Sequence, residues 1–213
     1  MRRTVLMLAA TALAAAGLAL AAHARPAEAN FPGSPGRIAY TLFDGKDYEI
    51  FTTKPDGSGR VQLTHNDVYD DNPAYSPSGD RIAYTRYDGK DYEIFTVNID
   101  GSDYRMVTDT AVDEYSPDYS PDGGRIVYSA YDGSDYEIFT VKPDGSDTRR
   151  VTDNAVSENE PVYSPGGGRI AYTAPYGIED YEIFTVNTDG SGARRVTDSN
   201  NARNEAAPHW GSR

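Results

Sequence analysis

Apolar and polar positions alternate over short stretches along most of this chain, and past about residue 30 no stretch repeats apolar residues at helical spacing. Arg81-Ile82-Ala83-Tyr84-Thr85-Arg86-Tyr87 is rich in strand formers and stops at Asp88-Gly89, a pair that accepts the positive φ of a tight hairpin turn. Tyr92-Glu93-Ile94-Phe95-Thr96-Val97 is again β-branched and aromatic, and it ends at the turn cluster Asp100-Gly101-Ser102. Arg105-Met106-Val107-Thr108 reads as a short third strand. Pro117-Asp118-Tyr119-Ser120 reads as a fourth, which its flanking prolines keep short. The pattern predicts four antiparallel strands and excludes an α/β or helical architecture.

The same unit is written four times. R-I-A-Y at Arg37 recurs as R-I-A-Y at Arg81, R-I-V-Y at Arg125 and R-I-A-Y at Arg169, always 44 residues apart. D-Y-E-I-F begins at Asp47, Asp91, Asp135 and Asp180, and an x-D-G turn follows in phase at Gly57, Gly101, Gly145 and Gly190. A period in the low forties with four strands per unit is that of a β-propeller blade, whose sheet buries both faces against its neighbours. The first unit lacks the P-x-Y-S strand, while Pro208-His209-Trp210-Gly211 stands in register with Pro161-Val162-Tyr163-Ser164. The sequence therefore predicts an all-β propeller of four blades, closed by the C-terminal strand, with 208–211 pairing on 61–64 or on 37–41. Two chains joining into a larger ring is the competing outcome, so monomer and dimer both stay open.

These repeats carry a family resemblance. Tyr75-Ser76-Pro77-Ser78-Gly79-Asp80-Arg81-Ile82-Ala83-Tyr84, then Asp91-Tyr92-Glu93-Ile94-Phe95, Asp100-Gly101-Ser102 and Arg105-Met106-Val107-Thr108-Asp109 resemble the WD-like repeats of TolB-type propellers. The resemblance runs from about Ser34 to Trp210. It implies a non-catalytic module that binds a protein or peptide outside the cytoplasm. The sequence departs from the family in two ways: TolB-like propellers usually carry six blades, and TolB proper has a separate N-terminal domain with no counterpart here.

Residues 1–29 read differently from the repeats. A basic start at Arg2-Arg3 leads into an Ala- and Leu-rich stretch from Val5 to Ala22, followed by small-residue sites at Ala22-His23-Ala24 and Ala27-Glu28-Ala29. This predicts a cleaved export signal, a single propeller over 30–213, an extracellular or periplasmic location, and no stable membrane anchor after cleavage. The twin arginine fits either export route.

Charge narrows the partners. The chain carries 33 acidic and 20 basic side chains, and its net charge of −13 becomes −15 once Arg2, Arg3, Arg25 and Glu28 are removed. Such a surface repels phosphate backbones, which argues against nucleic acid and in favour of a basic protein or peptide. With no cysteine, thiol nucleophiles, disulfides and thiolate metal sites are excluded.

Candidate chemistry gathers where loops meet. In a propeller of this strand order, the turn between the second and third strands and the loop before the innermost strand emerge on one face. Three residues before each innermost-strand proline stands an acid: Asp70, Glu114, Glu158 and Glu205. By symmetry these are expected to ring the channel, where mutual repulsion would raise their pKa values or a Ca²⁺ ion would relieve it. Tyr69, Tyr87, Tyr131 and Tyr176 lie in or beside the loops and are candidate contact anchors, with Tyr87 and Tyr131 placed beside the acids on a binding face. Tyr48, Tyr92, Tyr136 and Tyr181 occupy one strand position and read as blade packing. The Asp44-Gly45-Lys46-Asp47-Tyr48-Glu49 series lacks calcium-loop spacing and reads as a hairpin. Replacing Asp70 and Glu114 by Ala is expected to weaken a basic partner and spare the fold. Two alternatives stand beside protein binding: a propeller holding a glycan, small ligand or Ca²⁺ at the channel mouth, and a hydrolase or lyase using channel acids. No G-x-S-x-G motif occurs, and the histidines after residue 29, His65 and His209, join no nucleophile pattern.

Overall fold

The computed structural model describes residues 36–177, 180–198 and 205–210, so the export segment 1–29 lies outside the described residues. Among those described, every regular element is a strand. The first blade holds β1 (Ile38–Phe43), β2 (Tyr48–Thr53) and β3 (Val61–Gln62). The second holds β4 (Asp70–Tyr75), β5 (Arg81–Tyr87), β6 (Tyr92–Asn98) and β7 (Arg105–Met106). The third holds β8 (Glu114–Tyr119), β9 (Ile126–Tyr131), β10 (Tyr136–Val141) and β11 (Arg149–Arg150). The fourth holds β12 (Asn159–Tyr163), β13 (Arg169–Pro175), β14 (Tyr181–Asn187) and β15 (Arg194–Arg195). Each blade is an antiparallel meander in chain order, from innermost to outermost strand.

The innermost strands begin earlier than the prolines suggest. Asn72, Ser116 and Glu160 take φ values of 53°, 54° and 55°, and the register shifts at each of these points, so a bulge accommodates the following proline without ending the strand. The apolar alternation then sorts side chains to the two faces of each sheet. Ile82 and Tyr84 join one buried cluster with Ile50 and Leu63 of the first blade, while Ala83 joins a second with Ile126 and Tyr128 of the third. A third cluster joins Ile138 and Val151 to Ile170 and Tyr172. The core thus lies in the junctions between consecutive blades.

The R-I-x-Y arginine is a clamp within each blade. Arg125 donates to the Thr140 hydroxyl and carbonyl and to the Asp147 carboxylate and carbonyl, which ties the β9 start to the turn after β10. Arg81 does the same with Thr96, Asn98 and Asp103.

The x-D-G glycines serve the junctions. A methyl group on Gly145 would sit 2.6 Å from the carbonyl oxygen of Val107 in the preceding blade, and one on Gly190 would sit 2.6 Å from that of Val151. Gly57 occupies the same turn in the first blade, yet nothing lies within 4 Å of its added methyl.

The expected pairing of the C-terminal strand on the first blade is not formed among the described residues. Among the described residues β1 pairs only with β2, and the first sheet has three strands. The C-terminal segment stays with the fourth blade: Glu205 N–H donates to the Tyr181 carbonyl at 2.8 Å, Ala207 N–H to Glu160, and Trp210 Nε1 to the Val162 carbonyl at 3.4 Å. Ala207 has φ 57°, the bulge value of the innermost strands. Residues 205–210 therefore follow the path of one further innermost strand laid against blade four.

Gly145→Ala is expected to lower the urea midpoint clearly more than Gly133→Ala, because Gly133 (φ 105°) meets nothing within 4 Å and loses only the backbone cost of about 1–3 kcal/mol. Equal losses would show that the inter-blade contact is not what Gly145 serves.

Candidate functional site

The hairpins before each D-Y-E-I-F strand and the loops before each innermost strand share one end of the blades. Tyr87 N–H bonds the Tyr69 carbonyl at 3.1 Å and Asp70 stands opposite Arg86, which places the second blade's hairpin beside that loop. Aromatic rings cover this end in a ladder. Tyr48 meets Tyr69 at 5.2 Å between centroids, Tyr69 meets Tyr92 at 6.2 Å, Tyr92 meets Tyr115 at 5.0 Å and Tyr115 meets Tyr136 at 5.9 Å. Phe43, Tyr87 and Tyr131 stack onto Tyr48, Tyr92 and Tyr136 at 5.4, 5.4 and 5.6 Å. Tilted contacts at these distances suit the ring quadrupoles, and they fix the rings while leaving their edges to solvent. Tyr48 and Tyr131 remain 38% and 37% exposed.

The rungs between blades come from two alternating positions. Tyr69-Asp70-Asp71 puts the tyrosine one residue before the buried acid, and its hydroxyl donates to Asp71 at 3.1 Å. In Asp113-Glu114-Tyr115 the two are exchanged, and Asp113 accepts from the Tyr92 N–H at 3.1 Å. Burial first, then the adjacent aspartate, pushes the Tyr69 and Tyr115 hydroxyls well above the ordinary phenol range, so both rings stay neutral. In the fourth blade the corresponding residues are Ser157-Glu158-Asn159, and no rung forms. Tyr176, the remaining loop tyrosine, lies 51% exposed under the Arg195 guanidinium at 3.8 Å.

The repeated acids have a different place from the one expected. Asp70, Glu114 and Glu158 are at most 2% exposed and lie inside the junctions, so they present no ring of carboxylates to a channel or a partner. Each faces the D-Y-E-I-F glutamate of the preceding blade across one loop residue. Asn66 donates its N–H to Glu49 at 2.6 Å and its amide to Asp70 at 2.7 Å; Asn154 does so to Glu137 and Glu158 at 2.6 and 2.8 Å. Thr110 holds the middle pair, its N–H on Glu93 and its hydroxyl on Glu114 at 3.3 Å. Glu205 is partly buried beside the fourth blade.

Burial raises these carboxyls, against the hydrogen bonds that favour their charge. Asp70 and Glu158 are pushed up to about 7 and Glu114 to about 8, with Glu93 also raised. The outer pairs have nearby guanidinium groups, Arg86 at 3.7 Å from Asp70 and Arg150 at 3.0 Å from Glu137. Among the described residues the middle pair has none, and Glu93 and Glu114, like Asp70, Glu137 and Glu158, each bury one oxygen without a hydrogen-bond partner. Substitution at Asp70 or Glu114 therefore acts on the junction itself, contrary to the expectation that the fold is spared.

None of these four acids belongs to a metal-like group among the described residues. Carboxylate oxygens approach within 4.8 Å in two other trios, Asp44, Asp47 and Glu49, and Asp132, Asp135 and Glu137. Arg150 bridges Asp132 and Glu137 in the second, and Asp44 caps its hairpin through the Lys46 N–H at 2.8 Å in the first.

Comparison with known proteins follows the repeats. The TolB beta propeller domain family matches residues 34–213. The chain belongs to this family. Its fold is similar to that of a putative TolB from Agrobacterium tumefaciens, with a TM-score of 0.70 and 22% identity over 75% of this chain and 60% of that one. TolB from Acinetobacter baumannii gives 0.66 and 19%, over 79% of this chain and 42% of that one. Puromycin hydrolase, as a mutant complexed with PGG, gives 0.62 and 15%, over 84% of this chain and 31% of that one. The chain thus spans about 60% or less of these three structures. None of the curated proteins compared with it matches. Membership accounts for the blade repeats. The tyrosine ladder and the buried acid pairs are read from this chain's own residues, and sequence reasoning missed Tyr115 and Glu93 as members of the two sets.

Carboxyls whose pKa is raised on folding hold protons that the unfolded chain has released, so stability falls as pH rises from about 4 towards 8. The thermal midpoint is expected to drop by at least about 5 °C between pH 5 and pH 8.5, and Glu114→Gln should remove part of that drop. A midpoint flat in pH, or a drop unchanged in the variant, would show that the pair does not hold a proton.

Proposed function

We propose that the chain is an exported, non-catalytic interaction module that binds a basic protein or peptide segment across the tyrosine ladder. The ladder itself carries this reading. A row of rings held by neighbours offers large contact area at little further entropy cost, and aspartates beside the rings favour cationic side chains. Family membership supports an interaction role, the acidic composition supports a basic partner, and the Ala-rich start with its small-residue sites supports export. The non-catalytic reading rests on the absence of any pattern joining His65 or His209 to a nucleophile. The likeness to puromycin hydrolase is one of fold.

On an array of basic and acidic peptides, basic ones are expected to bind, with affinity that falls as salt rises. The double variant Tyr48→Ala, Tyr131→Ala should weaken binding at least about tenfold while the unfolding midpoint moves little, since both rings are more than a third exposed. Salt-independent binding of neutral glycans alone, or turnover of a peptide, ester or glycan that is lost on changing one histidine or acid, would overturn the reading.

A further inference from the structure

The first and fourth blades expose the two halves of one junction. Within the chain that junction is made three times, and each time the residue that follows the short outer strand is covered by the next blade: Leu63, Val107 and Val151 are at most 7% exposed. Val196 holds this position in the fourth blade and is 55% exposed, and Ile183 beside it is only partly covered where its copies Ile50, Ile94 and Ile138 are fully buried. The first blade is bare in the complementary way. Ile38 and Tyr40 are partly exposed, whereas their copies in the other three blades are at most 2% exposed. Gly57, whose copies lie against the carbonyls of Leu63, Val107 and Val151, has nothing within 4 Å of its added methyl. The innermost strands divide in the same way. Among the described residues β1 pairs only with β2, while 205–210 lie on the fourth blade outside all four sheets. Glu205 N–H bonds the Tyr181 carbonyl there as Glu158 N–H bonds that of Tyr136.

We propose that the fourth blade of one copy of this chain docks on the first blade of a second copy, with residues 205–210 serving as the innermost strand on the second copy's β1. The three internal junctions select this occupant, because they show what each bare face receives when it is covered. Val196 takes up the carbonyl contact with Gly57 of the second copy that Val107 makes with Gly145. The register of β4 on β5 and of β8 on β9, carried over, sets Trp210 opposite Ile38 and His209 opposite Ala39. A partner of unrelated sequence has to supply each of these features anew, while a second copy has them by repetition. Closure of one chain on itself is opposed by the junctions already made. The close approach of Val107 to Gly145 and of Val151 to Gly190 fixes the rotation between those blades, and with that rotation Val196 and Gly57 both stay bare. A second copy leaves these packed seams unchanged. The contact is head to tail, so its own rotation decides whether copies close a ring or extend. This inference goes beyond the peptide-binding reading and does not depend on it.

Sedimentation velocity of the full chain over a concentration series is expected to show species of two or more copies. Val196→Asp puts a charge on the fourth blade's face, and Gly57→Asn fills the first blade's gap with a residue that tolerates positive φ. Each alone is expected to weaken self-association at least about tenfold. The unfolding midpoint of the dilute single chain should move little, since neither position is covered within it. Each variant keeps the end that the other lacks, so an equimolar mixture is expected to regain association as a one-to-one dimer that grows no further. Should Gly57→Asn fail to fold, Thr53→Lys blocks the same end, at the position whose copy Val97 is 1% exposed in its junction. A wild type that stays monomeric, association that neither variant weakens, or a mixture that stays monomeric would overturn the proposal.

Discussion

Everything in this molecule hangs on how one blade takes hold of the next. A four-stranded sheet with two apolar faces cannot be stable alone, so its strands exist only insofar as a neighbour covers them. The cover is set by a few directional contacts. The D-Y-E-I-F glutamate of one blade accepts the backbone N–H of Asn66, Thr110 or Asn154, in the loop that starts the next blade. A threonine three residues after the start of each short outer strand bonds back to the isoleucine N–H of the same motif, at 2.8–2.9 Å in all four copies. The x-D-G glycines Gly101, Gly145 and Gly190 let the carbonyl of the preceding blade come close. These contacts decide where the apolar faces meet.

Much of this was readable in the sequence, for a physical reason. Strands that bury both faces in a repeated setting must repeat their residues, so Arg81 and Tyr84 recur every 44 residues and Ile94 and Gly101 every 44 or 45. The innermost strands were read too short because Pro117 marks the end of a strand by its missing N–H, while the bulge at Ser116 absorbs it. Counting strands gives the number of blades but not the angle between them, so the pairing partner of the C-terminal strand is not legible from the repeats alone.

The site was legible in its residue types and illegible in their depth. The acids before the prolines read as loop residues ringing the channel, since charged side chains are seldom fully buried without a partner. Their partners are other acids, a pairing that no spacing rule announces. The tyrosine ladder was half visible: Tyr87 and Tyr131 mark the right end of the blades, but Tyr115 escaped notice because its role depends on an exchange with Asp113 that only the strand geometry reveals. Burial thus divides one acidic, tyrosine-rich segment into a seam of buried carboxyls inside and an aromatic surface outside.

The glycine at each junction has a consequence for the gene as well as for the fold. Since Gly101, Gly145 and Gly190 all meet the same atom type in the blade before them, one junction is chemically interchangeable with another. Unequal recombination between such similar repeats would insert or delete a whole 44-residue copy while leaving each remaining seam with its usual contacts. Copy number is then free to drift, and selection would act on it through the arc it sweeps rather than through the integrity of any single blade.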